Sequence, residues 1–234
     1  LCVIDYNLGM ENDYAIVRLQ DVSKSYNKDK KSVLVLNDIS LSVKKSSFTV
    51  LSGLSGSGKT TLLKIIGGYE RVSSGKVFFG EKDISSLNNK EITAFRRQNV
   101  GMIFQDYYLD ENLTFRENIE LPAMFAKMTE EEIKKRTEEL VAGTDLAERL
   151  DHYPDEISGG QAQRAAILRA VYLKPDLILA DEPTSNIDDL NAKFVLDNLK
   201  ELQQKGHTIL IASHDSRVLE YADVVIKIEN GKII

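Results

Sequence analysis

The sequence predicts an α/β fold with a mostly parallel buried sheet, an N-terminal antiparallel β part and an inserted helical segment. Three observations carry that reading. The glycine-rich run GLSGSGKT, Gly53 to Thr60, lies between an apolar strand pattern, FTVLS, and a helical one, TTLLKIIGG. The runs LILA (177–180) and ILIA (209–212) lack polar alternation, as parallel strands covered on both faces do. Between the glycine loop and these runs, a long stretch shows helical periodicity and opens on a capping box.

Taken in order, AIVRL, VLVL and DISLSV between Ala15 and Ser47 read as short strands, the last with apolar alternation. FTVLS (48–52) is a compact apolar strand, and TTLLKIIGG is a helix ending at Gly67-Gly68. KVFFGEKDI predicts another strand and a turn, and VGMIFQ one more strand. In TEEEIKKRTEELVAG, Thr129 and Glu132 form the capping box, with Ile133, Leu140 and Val141 on a helical period. Much of 117–153 reads as helix. ISGGQAQRAAILRA, LILADEP and TILIASHD then return to helix, strand and strand. ADVVIKIENGKII closes the chain with two short strands about a turn at Asn230-Gly231.

Composition limits the options. The 234 residues are 42% hydrophobic and 28% charged, as in an ordinary globular domain with room for an insertion. With 30 basic and 36 acidic residues the net charge is −6, so no basic surplus points to direct nucleic-acid binding. The single cysteine, Cys2, excludes an internal disulfide and fits a reducing compartment. No apolar run approaches the roughly 18 residues of a membrane span, so the chain is not expected to form a pore. Residues 1–9, LCVIDYNLG, precede a Met10 that reads like a natural start and lack the features of a signal peptide. They are expected to be an upstream extension or an expression artefact.

The glycine loop matches the phosphate-loop pattern in full and has the right neighbours. Gly53, Gly56 and Gly58 let backbone N–H groups turn inward around phosphates, while the following helix N-terminus adds positive potential. Lys59 is expected to reach the β and γ phosphates, and the Thr60 hydroxyl to ligate Mg²⁺. Ser55, Ser57 and Thr61 complete the candidate binding set. LILADEP ends at a sheet's carboxyl edge with Asp181, expected to hold Mg²⁺, and Glu182, expected to deprotonate an attacking water. His214, after ILIAS, is either structural or, if its strand neighbours that of Glu182, a contact to the γ-phosphate and water. Gln105, after VGMIF, either senses Mg²⁺ or water or caps a loop. Spacing alone decides neither.

A second glycine pair, Ser158-Gly159-Gly160-Gln161, opens the helix QAQRAAILRAVYL. Serine is a favoured N-cap, and such an end attracts anions, but a plain capped helix explains the pattern as well. No physical rule places it in the same site as Lys59.

Together these residues resemble the ATP-binding subunit of ATP-binding-cassette (ABC) transporters, over nearly the whole chain from Val17 to Ile234. GLSGSGKT resembles the Walker A motif of a P-loop NTPase core, Gln105 the Q-loop, ISGGQ the signature and LILADEP Walker B. SNID (185–188) resembles the D-loop and His214 the H-loop. Tyr26, in SKSYN, is placed like the aromatic that stacks on adenine. The resemblance implies one ATP-binding domain over 10–234, with a helical subdomain at about 107–160. It implies that Ser158, Gly159, Gly160 and Gln161 contact ATP held by a second, identical or paralogous subunit, with Asp188 communicating between the two sites. It also implies ATP and Mg²⁺ as ligands, catalytic roles for Glu182, His214, Gln105 and Lys59, and separate transmembrane permease subunits. The chain would then lie on the cytoplasmic face of the membrane, peripheral to it.

Within the family, FQDYYLDENLTFRENIELP and ADEPTSNID are similar to the lipoprotein-releasing and macrolide-export type. Three departures stand out: Ser185 replaces the usual glycine, Ile157 the usual leucine, and VKKSSF lacks the usual glycine–glutamate turn. None removes a catalytic group. The rival reading is a soluble cassette ATPase acting on nucleic acid, ribosomes or cluster assembly. Against it stand the lack of a coiled-coil insertion, a second cassette and a basic tail.

Overall fold

The structure, a computed structural model, describes residues 14–28, 31–142, 144, 146–185 and 187–234. The expected extension at 1–9 and Met10 lie outside the described residues. Two long strands come first, β1 (Ala15–Lys28) and β2 (Lys31–Lys44), paired antiparallel. VLVL and DISLSV, expected as separate strands, form one continuous β2. Its break in alternation is absorbed at Asp38, which takes a left-handed φ of 57° opposite register shifts in β1.

The expected strand FTVLS is β3 (Phe48–Ser52), and after the glycine loop α1 (Lys59–Ile66) ends at Gly67. β4 (Ser74–Phe79) and β5 (Lys82–Asp83) complete a four-stranded antiparallel sheet in the order β2-β1-β4-β5. An unforeseen helix, α2 (Asn89–Asn99), follows; it buries only Phe95 and so shows no apolar stripe, but a capping box of Asn88 and Glu91 starts it. β6 (Val100–Ile103) then enters the second sheet.

The helical segment contains α3 (Phe115–Ala126) and α4 (Glu130–Val141), the latter capped by Thr129 and Glu132 as expected. Beyond α4, helix is limited to single 3₁₀ turns at 147–149 and 154–156, less than the sequence suggests. The backbone there has another task. Phe115 N donates to His152 O (2.7 Å) and Arg116 N to Leu150 O (2.8 Å), so this stretch satisfies the orphan N–H groups that open α3. Phe115, Ile119, Val141, Leu146 and Leu150 form their own apolar cluster with Ala165 and Tyr172. Ala165 belongs to α5 (Gly159–Val171) and Tyr172 is its C-cap, so the segment is fastened to that helix.

β7 (Leu177–Asp181), α6 (Asp189–Gln204), β8 (Thr208–Ser213), α7 (Ser216–Leu219), β9 (Val224–Glu229) and β10 (Lys232–Ile233) complete the chain. Asn230 (φ 49°) and Gly231 (φ 73°) make the expected final turn, both left-handed as a two-residue hairpin requires. The second sheet runs β10-β9-β3-β8-β7-β6, parallel except for β10. β7 and β8 are buried on both faces. Leu177, Leu179, Leu210 and Ala212 face a cluster containing α1, while Ile178, Ala180, Ile209 and Ile211 face one containing α5 and α6. That two-sided burial is why LILA and ILIA lack polar alternation.

Candidate functional site

Strand order brings the candidate residues together. β3, β8, β7 and β6 are consecutive neighbours in the parallel sheet, spaced about 4.8 Å apart. Their carboxyl ends deliver the glycine loop, His214, Asp181-Glu182 and Gln105 to one edge, where open α/β sheets bind ligands. Val35, Ser55, Gly56, Gly58, Lys59, Thr60, Thr61, Gln105, Glu182 and His214 line a cleft of about 290 Å³ there. Val35, on β2, is the one lining residue the sequence did not point to.

The loop's shape depends on its glycines. A Cβ on Gly53 would lie 2.2 Å from Ile228 O, and Gly58 combines a φ of 106° with Leu36 Cδ2 only 2.7 Å from a Cβ. No side chain caps the start of α1. Its first N–H groups therefore remain available to an anion. Lys59, buried, donates from Nζ to Gly53 O (2.8 Å) and Leu54 O (3.0 Å), inside the loop it belongs to. Ser57 Oγ is buried with no hydrogen-bond partner. An orphaned hydroxyl beside uncapped N–H groups fits a phosphate ligand.

Thr60 Oγ1 donates to Asp181 Oδ1 at 2.8 Å. Burial pushes the Asp181 carboxyl above its ordinary value, against the opposing effect of that hydrogen bond, while neighbouring Glu182 pushes it further up. Two hard oxygen donors in contact suit Mg²⁺. Among the described residues no group of three His, Cys, Asp or Glu could hold a metal alone.

Glu182 is the centre of the cleft's polar network. His214 Nδ1 lies 2.9 Å from its Oε1, Lys59 Nζ lies 3.8 Å from the same atom, and Ser213 Oγ donates to Oε2 at 3.1 Å. Its backbone is left-handed (φ 48°), fixed by Glu182 N donating to Ala212 O and by Ser185 N and Oγ donating to Glu182 O. Backbone strain held this firmly is common at functional sites. Ser185, the departure from the usual glycine, therefore adds a hydrogen bond to the turn.

Sequence reasoning missed the support behind this edge. Thr184 Oγ1 donates to Asp215 Oδ2 (2.7 Å), and Arg217 donates to both Asp215 oxygens and to Asp189. The Arg217 guanidinium holds the Asp215 carboxyl down at about 2. Gln163 Nε2, buried on α5, donates to Pro183 O (3.1 Å). An acid next to His214 and an arginine two residues on were the only sequence signals.

The remaining candidates stand apart from the cleft. Ser158 caps α5: its Oγ accepts from Gln161 N, while Ser158 N donates to Gln161 Oε1 (3.0 Å). Neither these residues nor Gly159 and Gly160 line the cleft. Asp188 caps α6, accepting from Asn191 N (2.9 Å) and Asn191 Nδ2 (2.7 Å). Tyr26, 38% exposed, lies on β1 two residues beyond Lys24, whose partner on β2 is Leu36, the residue against Gly58. That puts Tyr26 about 7 Å farther along the strand, within a nucleotide's length of the loop.

A family model described as ABC transporter matches residues 36–185. The macrolide export ATP-binding/permease protein MacB 2 of Yersinia pestis bv. Antiqua (strain Antiqua) is 39% identical over 226 residues, 97% of this chain and 33% of that protein. MacB of Vibrio parahaemolyticus serotype O3:K6 is 37% identical over 219 residues, 94% of this chain and 34% of that protein. The chain thus spans about a third of the length of these curated relatives. A solved dimer of the ATP-binding cassette MJ0796, in a post-hydrolysis state bound to ADP and Pi, matches with TM-score 0.85 and 34% identity, covering 93% of this chain and 96% of that one. The structure of cbiO1 from Clostridium perfringens, part of the ABC transporter complex cbiONQ, matches with TM-score 0.83 and 28% identity over 94% and 87%.

Proposed function

The chain belongs to the ABC transporter family, and from that premise we propose that it is the ATP-hydrolysing motor of a transporter, coupled to a transmembrane permease. The observation that carries the reading is the Glu182 carboxylate, set between His214 and Lys59 at the mouth of a phosphate-sized cleft. Backbone N–H groups of Gly56, Gly58 and the first turn of α1 cradle the β and γ phosphates, with Lys59 turning from its loop carbonyls to the phosphate oxygens. Thr60, Asp181 and Gln105 would hold Mg²⁺, which when bound would supply positive charge against the phosphates. Glu182 accepts the proton of the attacking water as it adds to the γ-phosphorus, while His214 orients Glu182 and the γ-phosphate. ADP and phosphate leave. Tyr26 stacks on the adenine.

Ser158 to Gln161, capping one another in a single chain, close over ATP held by a second cassette. The dimer forms while the γ-phosphate bridges both chains and opens when hydrolysis removes it. What supports this arrangement is the position of the signature outside its own chain's cleft, together with the dimeric form of MJ0796. Among the described residues no helix is long and apolar enough to cross a membrane. The membrane partner docks in the groove beside Gln105, between α2, α3 and the end of β6. Phe104, Tyr108, Pro122 and Phe125 line it together with Arg96, Arg97 and Arg169, none of which makes an ion pair among the described residues.

Glu182→Gln tests the reading. Steady-state turnover should fall at least about 10²-fold while ATP binding is retained. Turnover within twofold of the parent chain would remove Glu182 from the role of base.

A further inference from the structure

We infer that Lys24 is a positioning residue for the nucleotide base, holding the Tyr26 ring in place and tying it to the phosphate-loop helix. The inference rests on Tyr26 being the stacking platform and identifies what sets that platform's position. Lys24 is only 8% exposed. Its Nζ donates to Glu70 Oε1 (2.6 Å) and to Arg71 O (2.7 Å) and lies 4.8 Å from the centroid of the Tyr26 ring. The two residues share one face of β1, as positions i and i+2 of a strand do. A buried ammonium needs compensation on every side, and here a carboxylate, a carbonyl and a π face provide it.

The anchor on the other side is rigid. Tyr69 N and Glu70 N both donate to Lys64 O, in the last turn of the helix that Lys59 begins. Lys24 thus connects the antiparallel sheet, which carries Tyr26, to the far end of α1, which carries the phosphate loop at its start. Its cross-strand partner Leu36 packs where a Gly58 Cβ would be. One strand register therefore sets the distance from the ring to the phosphates, and the Lys24–Glu70 pair locks it. Sequence pattern gives Lys24 no role, because a lysine two residues before a tyrosine on an exposed-looking strand reads as solvated.

Equilibrium dialysis with ATP and with inorganic tripolyphosphate, which has no base, tests the inference. Lys24→Met should weaken ATP binding about three- to tenfold, the range of a partly desolvated cation–π contact, and leave tripolyphosphate binding unchanged. In a Tyr26→Ala background the same substitution should have no further effect. Equal losses for ATP and tripolyphosphate, or an undiminished loss without Tyr26, would overturn the inference. Should Lys24→Met fail to fold, Glu70→Gln takes its place, with a smaller loss confined to ATP expected and no ATP-selective loss overturning the inference. Tyr26→Ala alone separates the two readings. Unchanged ATP affinity in that variant overturns the stacking platform and the inference with it. A Tyr26-dependent affinity that Lys24→Met leaves intact overturns only the inference.

Discussion

Asp215 shows how much of the site's order is held by residues that do not face the cleft. It accepts from Thr184, Ser216's neighbour Arg217 and Arg217's own backbone N–H, and so ties the turn after β7 to the turn after β8. Its folded-state pKa, about 2, lies below the ordinary 3.8, so the contribution to stability is present above about pH 4 and is lost as pH falls through 2. Asp215→Asn should lower unfolding free energy by about 1 kcal/mol at neutral pH, a figure discounted for solvent at the half-exposed Arg217. Urea melts of both chains should converge as pH approaches 2; a gap that stays constant with pH would contradict the assignment. The glycine loop with Lys59 and the Asp181-Glu182 pair stood out in the sequence because each follows an apolar strand pattern, whereas spacing left His214 and Gln105 open. The hydrogen bonds behind them were not legible, since Thr184, Asp215 and Arg217 are ordinary residues in sequence. Ser46 is a similar case. In place of the turn glycine it adopts φ 57°, stabilised because Ser46 N donates to Thr208 Oγ1 and Ser46 Oγ to Gly206 O.

Among elements, α5 and α6 meet where the signature starts. A Cβ on Gly160 would lie 2.4 Å from Asn191 Oδ1, and Asn191 is held by the α6 cap Asp188, so this glycine is needed by its own chain. Gly159 is different. A Cβ there meets only Tyr107 Oη at 3.5 Å, ordinary contact distance, and α5 has no acidic residue in its first turn. Gly159→Asp should therefore leave stability unchanged or raise it by up to about 1 kcal/mol through the helix dipole. The same carboxylate should repel a partner's γ-phosphate and reduce ATP turnover at least about tenfold. Thermal melts with turnover assays check both signs; normal turnover would remove Gly159 from the nucleotide site. Strands and helices with apolar stripes were legible here: β3, β7, β8, α1 and α4 fall where periodicity puts them. The α2 helix escaped because it buries one side chain, and the 147–156 stretch misled because its backbone caps α3.

For the whole molecule, sequence order alone indicated which motifs occur, and sheet order explains why they meet. His214 reaches Glu182 because β8 inserts between β3 and β7, a neighbour relation no spacing in the chain specifies. The α/β class, the antiparallel first sheet and the helical insertion were readable from patterning. What Ser158 to Gln161 bind was not, because they lie outside the cleft of their own chain. On the proposed function, each nucleotide site is completed by a second chain. Sedimentation of Glu182→Gln with and without ATP tests it most directly. The expected result is a one-chain species without nucleotide and a two-chain species with ATP and Mg²⁺, reverting to one chain when Gly159→Asp is added. A chain saturated with ATP that still sediments as a monomer would contradict it.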